Sequence, residues 1–152
     1  MKFNNSELQF EGIYDDLIMD HYRNPRNRDP INEPDIEHHD WNPFCGDDVD
    51  INIAINQNSQ ISCICVVAQG CSILQASASI MGTLVLNQKL TDVLSLFENF
   101  KYLMETSDLN ACTEISREIS ALRTIRKYPV RIKCVMLPWV AMRDSIKIYL
   151  SD

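Results

Sequence analysis

A change of hydrophobic period in the middle of the chain constrains the fold most. Apolar and polar residues alternate over residues 48–56, in the run DVDINIAIN, which predicts a strand with one buried face. Turn-forming residues follow at 56–60, and a second β-rich run covers residues 61–68. The two runs together predict an antiparallel hairpin.

Helical spacing dominates the sequence on both sides of this hairpin. Upstream, apolar residues recur at helical spacing over residues 6–24, and residues 25–43, which hold four of the six prolines, are predicted to be mostly loop. Downstream, the spacing predicts helices over residues 72–86, 90–104, 113–127 and 138–150, the last beginning at Pro138. A small antiparallel sheet followed by helices makes the predicted fold class α+β.

Length and charge narrow the class of protein. The 152 residues are enough for one domain with a hydrophobic core, so residues 1–152 are predicted to form a single domain. The formal net charge is −7 and the basic residues form no stripe, which argues against a nucleic-acid-binding protein. An acidic surface favours docking onto a basic patch of a protein partner.

The cellular compartment decides whether the six cysteines are expected to form disulfides. The opening MKFNNSELQF is polar and mixed, and no apolar run approaches the roughly 18–20 residues needed to cross a bilayer. The protein is therefore expected in the cytosol, where disulfides are rare. Six cysteines in such a protein indicate core packing, metal binding or sulfur chemistry.

The spacing of the cysteines excludes the commonest cysteine motifs. No C-x-x-C pair is present, which argues against zinc ribbons, ordinary zinc fingers and thioredoxin-like sites. Two of the four glycines, Gly46 and Gly70, are adjacent to a cysteine at the end of a predicted strand. We expect these glycines to provide unusual backbone dihedrals or a close approach of the backbone.

Three cysteines are candidates for a functional site, with core packing as the alternative for each. Cys45 and Asp47 offer sulfur and oxygen from one turn. Cys71 follows a glycine and begins a predicted helix, where free N–H groups favour a thiolate. Cys134 lies in a basic segment, with Lys133 and Arg131 before it, and is expected to have a lowered pKa.

The other cysteines and the histidines have plainer interpretations. Cys63 and Cys65 share one face of a strand and are predicted to be packing residues, and Cys112 is predicted to be uninvolved. His21 lies among apolar helix residues and is interpreted as a structural histidine. The pair at 38–39 is a possible metal ligand, but a solvated acidic loop is the favoured interpretation.

Three motifs, in this order, resemble the iron–sulfur cluster assembly scaffolds of the IscU/NifU type: NPFCGD, QGCSILQASASIM and RIKC. The segment YDDLIMDHYRNPRN is similar to the N-terminal helix and loop of that family. Lys133 stands where IscU proper has a histidine, and some sixty residues separate Cys71 from Cys134; both features resemble the zinc-binding SufU branch. The resemblance implies an α+β fold of the SufE/IscU kind, with an antiparallel sheet of about three strands packed against several helices.

The resemblance also implies a metal site and its contents. Carried over residue by residue, it makes Cys45, Asp47, Cys71 and Cys134 the ligands of zinc or of a transient [2Fe–2S] cluster. A hard carboxylate among soft thiolates is the ligand most easily displaced. Such a site suits an assembly protein better than a permanent structural zinc site.

The implied function is iron–sulfur cluster assembly. The resemblance implies that the protein accepts sulfur from a SufS-like cysteine desulfurase, on Cys45, and serves recipient apo-proteins as a scaffold or as a zinc-dependent sulfurtransferase partner. The alternative is a non-catalytic interaction protein that zinc only stabilises. An independent hydrolase is poorly supported, because no paired carboxylates or Ser/His arrangement stands out.

Overall fold

A three-stranded antiparallel sheet lies on one side of the protein. The computed structural model describes residues 16–106 and 116–152, in which the strands are β1 (Ile36–Asn42), β2 (Asp47–Ile55) and β3 (Ile61–Gln69). The strand order is β1-β2-β3, and both pairings are antiparallel. The predicted hairpin and the predicted small sheet are confirmed.

Five α-helices accompany this sheet in the described parts of the chain. They are α1 (Asp16–Arg23), α2 (Ser72–Val85), α3 (Leu90–Glu105), α4 (Arg117–Arg123) and α5 (Pro129–Ser151), with a short 3₁₀ helix at Thr124–Lys127 between the last two. The first part of the predicted 6–24 helix lies outside the described residues. Among the described residues, no helix combines the length and the apolar character that crossing a membrane would require.

Alternation in the central strand places the core on one face of the sheet. Val49, Ile51 and Ile53 on β2 are fully buried, whereas the residues between them are partly or fully exposed. Helices α2 and α5 contact the sheet and each other, so the core lies between helices and sheet. Helix α2 is buried nearly all round, as its run of alanine, serine and glycine predicts for a tightly packed helix.

Strand β1 lies inside the segment 25–43, which is mostly loop as predicted but contains this strand, which the sequence did not predict. Its sequence, IEHHDWN, carries one buried hydrophobic residue, Ile36, and has no apolar alternation for sequence reasoning to detect. It is an edge strand that pairs only with β2 in the described sheet, from Ile36 opposite Ile53 to Asn42 opposite Asp47. Backbone pairing, not a hydrophobic face, makes it a strand.

Helix α5 corrects the predicted break before Pro138. It runs without interruption from Pro129, in the first turn, to Ser151, and Pro138 lies inside it. A proline at this position has no N–H to donate to the carbonyl of Cys134, four residues earlier. The helix continues because both ends of this turn are held by packing: Val135 and Trp139 are buried in the core.

Candidate metal centre

Three residues that are far apart in the sequence meet where the sheet and two helices come together. Asp47 begins β2, Cys71 is the N-cap residue of α2, and Cys134 lies in the second turn of α5. One carboxylate oxygen and the two sulfurs all lie within 4.8 Å of one another. Asp47 is 4% exposed and Cys134 9%, while Cys71 is half-buried. The group is therefore nearly enclosed but can be reached at Cys71.

Cys71 is held at the start of α2 as the sequence predicts. Its sulfur accepts a hydrogen bond from the Leu74 backbone N–H at 3.4 Å, and its backbone is extended, as in ordinary N-cap residues. A hydrogen bond from Cys134 lowers the pKa of Cys71 to about 7, with the Leu74 N–H adding to the effect and burial opposing it. Near neutral pH a substantial fraction of Cys71 is therefore thiolate.

Cys134 has the opposite shift, and the predicted lowering of its pKa is wrong. Its hydrogen bond to Cys71 raises the pKa of Cys134, and burial and the charge of Asp47 raise it further. Lys133, the neighbour that suggested a basic environment, is exposed. Cys134 therefore keeps its proton near neutral pH, and its S–H is the donor to the Cys71 sulfur, which is the group of the two that ionises first.

Gly70 leaves the space that the Asp47 carboxylate occupies. An added Cβ on Gly70 would lie 2.2 Å from Oδ1 of Asp47 and 3.0 Å from its Cγ. The φ angle of Gly70 is +152°, a conformation that side chains other than glycine rarely adopt. The predicted backbone reason for a glycine before Cys71 is thus confirmed as a close approach.

Cys45 lies outside this group. It is exposed in the turn between β1 and β2, where its backbone N–H donates to the Asn42 carbonyl at 3.3 Å. The N–H of Gly46 donates to the same carbonyl at 3.0 Å, and Gly46 has φ +74°. The structure brings together three of the four residues predicted as ligands, and it places the fourth two residues from Asp47.

Replacing Gly70 by alanine should destabilise the protein by displacing Asp47. The unfavourable φ alone should cost about 1–3 kcal/mol of unfolding free energy, and the overlap with the carboxylate adds to this. Gly46→Ala is the matched control, because it has a positive φ but no atom within 4 Å of its added Cβ. Urea unfolding of the metal-free proteins measures both.

The clash itself is tested by a double-mutant cycle. An added Cβ also lies 2.8 Å from Cδ2 of Leu74, a contact that stays in either background. Asp47→Ala removes the closest contact, with the carboxylate, so Gly70→Ala should cost less in that background, by about 0.5–3 kcal/mol. Strictly additive effects of the two substitutions would show that Gly70 does not position Asp47.

The remaining cysteines differ from one another. Cys65 is buried, as predicted for a packing residue, and burial raises its pKa. Cys63 is exposed, so the prediction that it packs is wrong. Cys112 lies outside the described residues.

The histidines are placed in two environments. His21 is buried and its Nδ1 lies 2.8 Å from the Ser79 hydroxyl, which confirms the structural interpretation; burial lowers its pKa. His38 and His39 lie on β1 and not in a loop, and the Nε2 of His39 lies 2.7 Å from a carboxylate oxygen of Asp48. That hydrogen bond raises the pKa of His39.

A second group of possible ligands went unnoticed in the sequence. His39, Asp48 and Asp50 have ligand atoms within 4.8 Å of one another on the outer face of the sheet. The signal is the β1–β2 register, which sets His39 opposite Asp50, and it requires β1 to be recognised as a strand. The group is exposed or half-exposed and contains the His39–Asp48 ion pair.

Comparison with known proteins agrees with the fold and the motifs. The chain is 30% identical over 146 residues to the zinc-dependent sulfurtransferase SufU of Bacillus subtilis (strain 168), covering 96% of this chain and 95% of that protein. It is 27% identical over 135 residues to the iron–sulfur cluster assembly scaffold protein IscU of Streptococcus pyogenes serotype M1, covering 89% and 83%.

Solved structures share the fold. A nitrogen-fixing NifU-like protein (N-terminal) from Brucella abortus superimposes with a TM-score of 0.81 at 18% identity, covering 94% of this chain and 98% of that one. A candidate iron–sulfur cluster assembly scaffold protein for the SUF system from Fervidobacterium islandicum AW-1 gives 0.76 at 24% identity, covering 89% and 97%. The sequence profile of the NifU-like N-terminal domain matches residues 13–150. The chain therefore belongs to the NifU-like N-terminal domain family, that of the IscU/NifU iron–sulfur cluster assembly scaffolds.

Proposed function

We propose that this protein is a cytosolic, single-domain sulfur acceptor and scaffold that receives sulfur from a cysteine desulfurase and passes sulfur or a nascent cluster to apo-proteins. The observation that carries the proposal is the buried meeting of Asp47, Cys71 and Cys134, three of the four residues that the motifs predict as ligands. The similarity to a zinc-dependent sulfurtransferase and to scaffold proteins supports it.

The donor set fits zinc. Two sulfurs and one carboxylate oxygen within 4.8 Å of one another can close onto a tetrahedral ion, whose donor atoms lie about 3.3–3.8 Å apart when each is about 2.0–2.3 Å from the metal. The same thiolates could hold one edge of a transient [2Fe–2S] cluster. Three protein ligands leave one position of a tetrahedral site open.

Cys45 is proposed to fill that position and to leave it again. It shares a turn with Asp47, and no bulky neighbour covers its sulfur, since Cys45 is exposed and Phe44 beside it is 97% exposed. Bound zinc keeps a cysteine ligand deprotonated, so a ligand that displaces Cys45 releases it as a thiolate. An exposed thiolate is what a sulfur acceptor requires.

The sulfur-transfer step balances without an added oxidant. The Cys45 thiolate attacks the outer sulfur of a persulfide on the desulfurase, and a new sulfur–sulfur bond forms on Cys45. The sulfur–sulfur bond of the desulfurase breaks, and its cysteine leaves as a thiolate. The outer sulfur moves at an unchanged oxidation level, and Cys45 ends as a persulfide anion.

Metal content and desulfurase activity test the proposal together. Protein purified anaerobically should contain one zinc per chain by elemental analysis. Added to a cysteine desulfurase from the same organism with excess cysteine, it should increase the rate of alanine formation several-fold, because removing sulfur from the desulfurase cysteine frees it for another turnover.

The outcomes separate the proposal from its alternative. Iron and acid-labile sulfide in place of zinc would assign the site to cluster assembly and not to zinc-dependent transfer. One zinc per chain with no effect on the desulfurase, and unfolding when zinc is removed, would identify a zinc-stabilised interaction protein. A protein that contains no metal and does not stimulate the desulfurase would refute the proposal.

A further inference from the structure

Helix α5 lacks one of its own hydrogen bonds in the turn that carries Cys134. Pro138 stands four residues after Cys134 and has no N–H, so it cannot donate to the Cys134 carbonyl. Helices with an internal proline bend most easily at this point. The Cys134 carbonyl therefore lacks the i+4 donor that the carbonyls in the interior of α5 ordinarily have.

A serine from another helix bonds to the same turn. The Ser77 hydroxyl, on α2, donates to the carbonyl of Val135 at 2.7 Å, one residue after Cys134. It accepts at the same time from Nε1 of Trp139, at 3.1 Å. Ser77 is fully buried and Trp139 is 2% exposed, so water does not compete for these bonds.

Trp139 is fixed from its other side. Its ring stacks on Phe100 of α3, with ring centroids 4.1 Å apart and an angle of 28° between the planes. The indole N–H is thus aimed at Ser77 by packing, and the hydroxyl that accepts it has its own proton directed to Val135. We call Ser77 and Trp139, with these two hydrogen bonds, the α2–α5 clamp.

The clamp joins the two helices that carry the sulfurs. Ser77 lies six residues after Cys71 on α2, or about 9 Å along the helix axis. Val135 follows Cys134 directly on α5. The position of the α5 turn relative to α2, and so the separation of the two sulfurs, depends on a contact located behind the site.

We infer that Ser77 and Trp139 are positioning residues that set the separation of Cys71 and Cys134, and through it the rate at which the site releases metal. Neither is one of the candidate ligands, and they act through the backbone of α5. Pro138 makes this contact necessary, because it removes the hydrogen bond that would otherwise restrain the turn. The part of the inference that concerns metal release rests on the proposed function.

Zinc release tests the inference in the zinc-loaded protein. Ser77→Ala should transfer its zinc to a chromogenic chelator about tenfold faster than the unchanged protein. Trp139→Phe keeps the ring stacked on Phe100 and the Ser77–Val135 bond, so it should show a smaller increase. Ser145→Ala is the matched control: it removes a buried hydroxyl bond, 2.8 Å to the Met142 carbonyl, elsewhere on the same helix.

A metal-free measurement makes the test independent of the proposed function. The protein without metal is equilibrated with reduced and oxidised glutathione, and the Cys71–Cys134 disulfide is quantified by mass spectrometry. Ser77→Ala should lower the effective concentration of the two thiols by about tenfold, while Ser145→Ala leaves it unchanged. If the unchanged protein binds no metal and does not stimulate a desulfurase, the proposed function fails, but this comparison still decides the inference.

The most discriminating experiment restores the missing hydrogen bond of α5. Pro138→Ala returns a backbone N–H to the Cys134 carbonyl, so Ser77→Ala should have a much smaller effect on both measurements in that background. A merely structural role of Ser77 would give the same effect with or without Pro138. Equal effects of Ser77→Ala and Ser145→Ala, or no rescue by Pro138→Ala, would overturn the inference.

Discussion

A Cys71→Ala protein should lose most of its bound zinc. The substitution removes one of the two sulfurs from the site, and we expect zinc affinity to fall more than about 100-fold, since even changes around the ligands cost 10–100-fold. Cys63→Ala is the matched control, because Cys63 is an exposed cysteine that lies outside the group. Elemental analysis and competition with a chelator measure the difference.

A second substitution separates metal binding from helix capping. Cys71 is also the N-cap residue of α2, and losing that side-chain acceptor should cost about 1 kcal/mol of unfolding free energy. Cys71→Ser keeps a capping oxygen but offers a neutral hydroxyl in place of a thiolate. It should therefore lose zinc while losing less stability than Cys71→Ala. Full zinc retention in either variant would remove Cys71 from the site.

Cys45→Ser should abolish the stimulation of a cysteine desulfurase. The hydroxyl that replaces the thiol is not ionised at neutral pH and cannot carry sulfur from the desulfurase persulfide. Because Cys45 is exposed in a turn, the substitution should leave the fold unchanged, and a loss of activity can be assigned to chemistry. Alanine formation with excess cysteine is the measurement.

The sulfur itself locates the acceptor. After incubation with desulfurase and cysteine, mass spectrometry should find an additional sulfur on Cys45. Cys63 is another exposed cysteine, and the Cys63→Ser protein should still have the additional sulfur on Cys45. Stimulation that survives in Cys45→Ser, with the persulfide on Cys71 or Cys134, would contradict the assignment and make a buried cysteine the acceptor.

Much of the fold follows from local sequence. Residues 48–56 have period-two alternation, and the strand with one buried face forms where predicted. The small residues that follow Cys71 indicate a tightly packed helix, and α2 is buried nearly all round. Gly70 is required for a reason that the sequence suggests, although only the structure identifies Asp47 as the group that approaches it.

Two errors come from features that have no local signal. Strand β1 has little hydrophobic alternation, and its pairing with β2 is a backbone interaction between residues distant in sequence. Pro138 normally indicates a helix boundary, yet α5 passes through it. Packing of Val135 and Trp139 into the core outweighs the lost backbone hydrogen bond. The Ser77 hydroxyl of α2 also donates to the Val135 carbonyl, next to the Cys134 carbonyl that lacks its helical donor.

The family, the α+β class and the candidate ligands can be predicted from the sequence, because these depend on residue types at short spacings. The charge on each ligand and its exposure to solvent depend instead on contacts between residues that are distant in the sequence. Cys134 has basic neighbours in the sequence, which would lower its pKa. Its pKa is nevertheless raised, because its hydrogen bond with Cys71 and its burial have a larger effect than the nearby positive charges. Cys45 is separated from Asp47 by one glycine, yet one is exposed and the other buried. The turn that Gly46 allows, with φ +74°, ends where β2 begins, so Cys45 stays exposed at the surface while Asp47, two residues later, is buried.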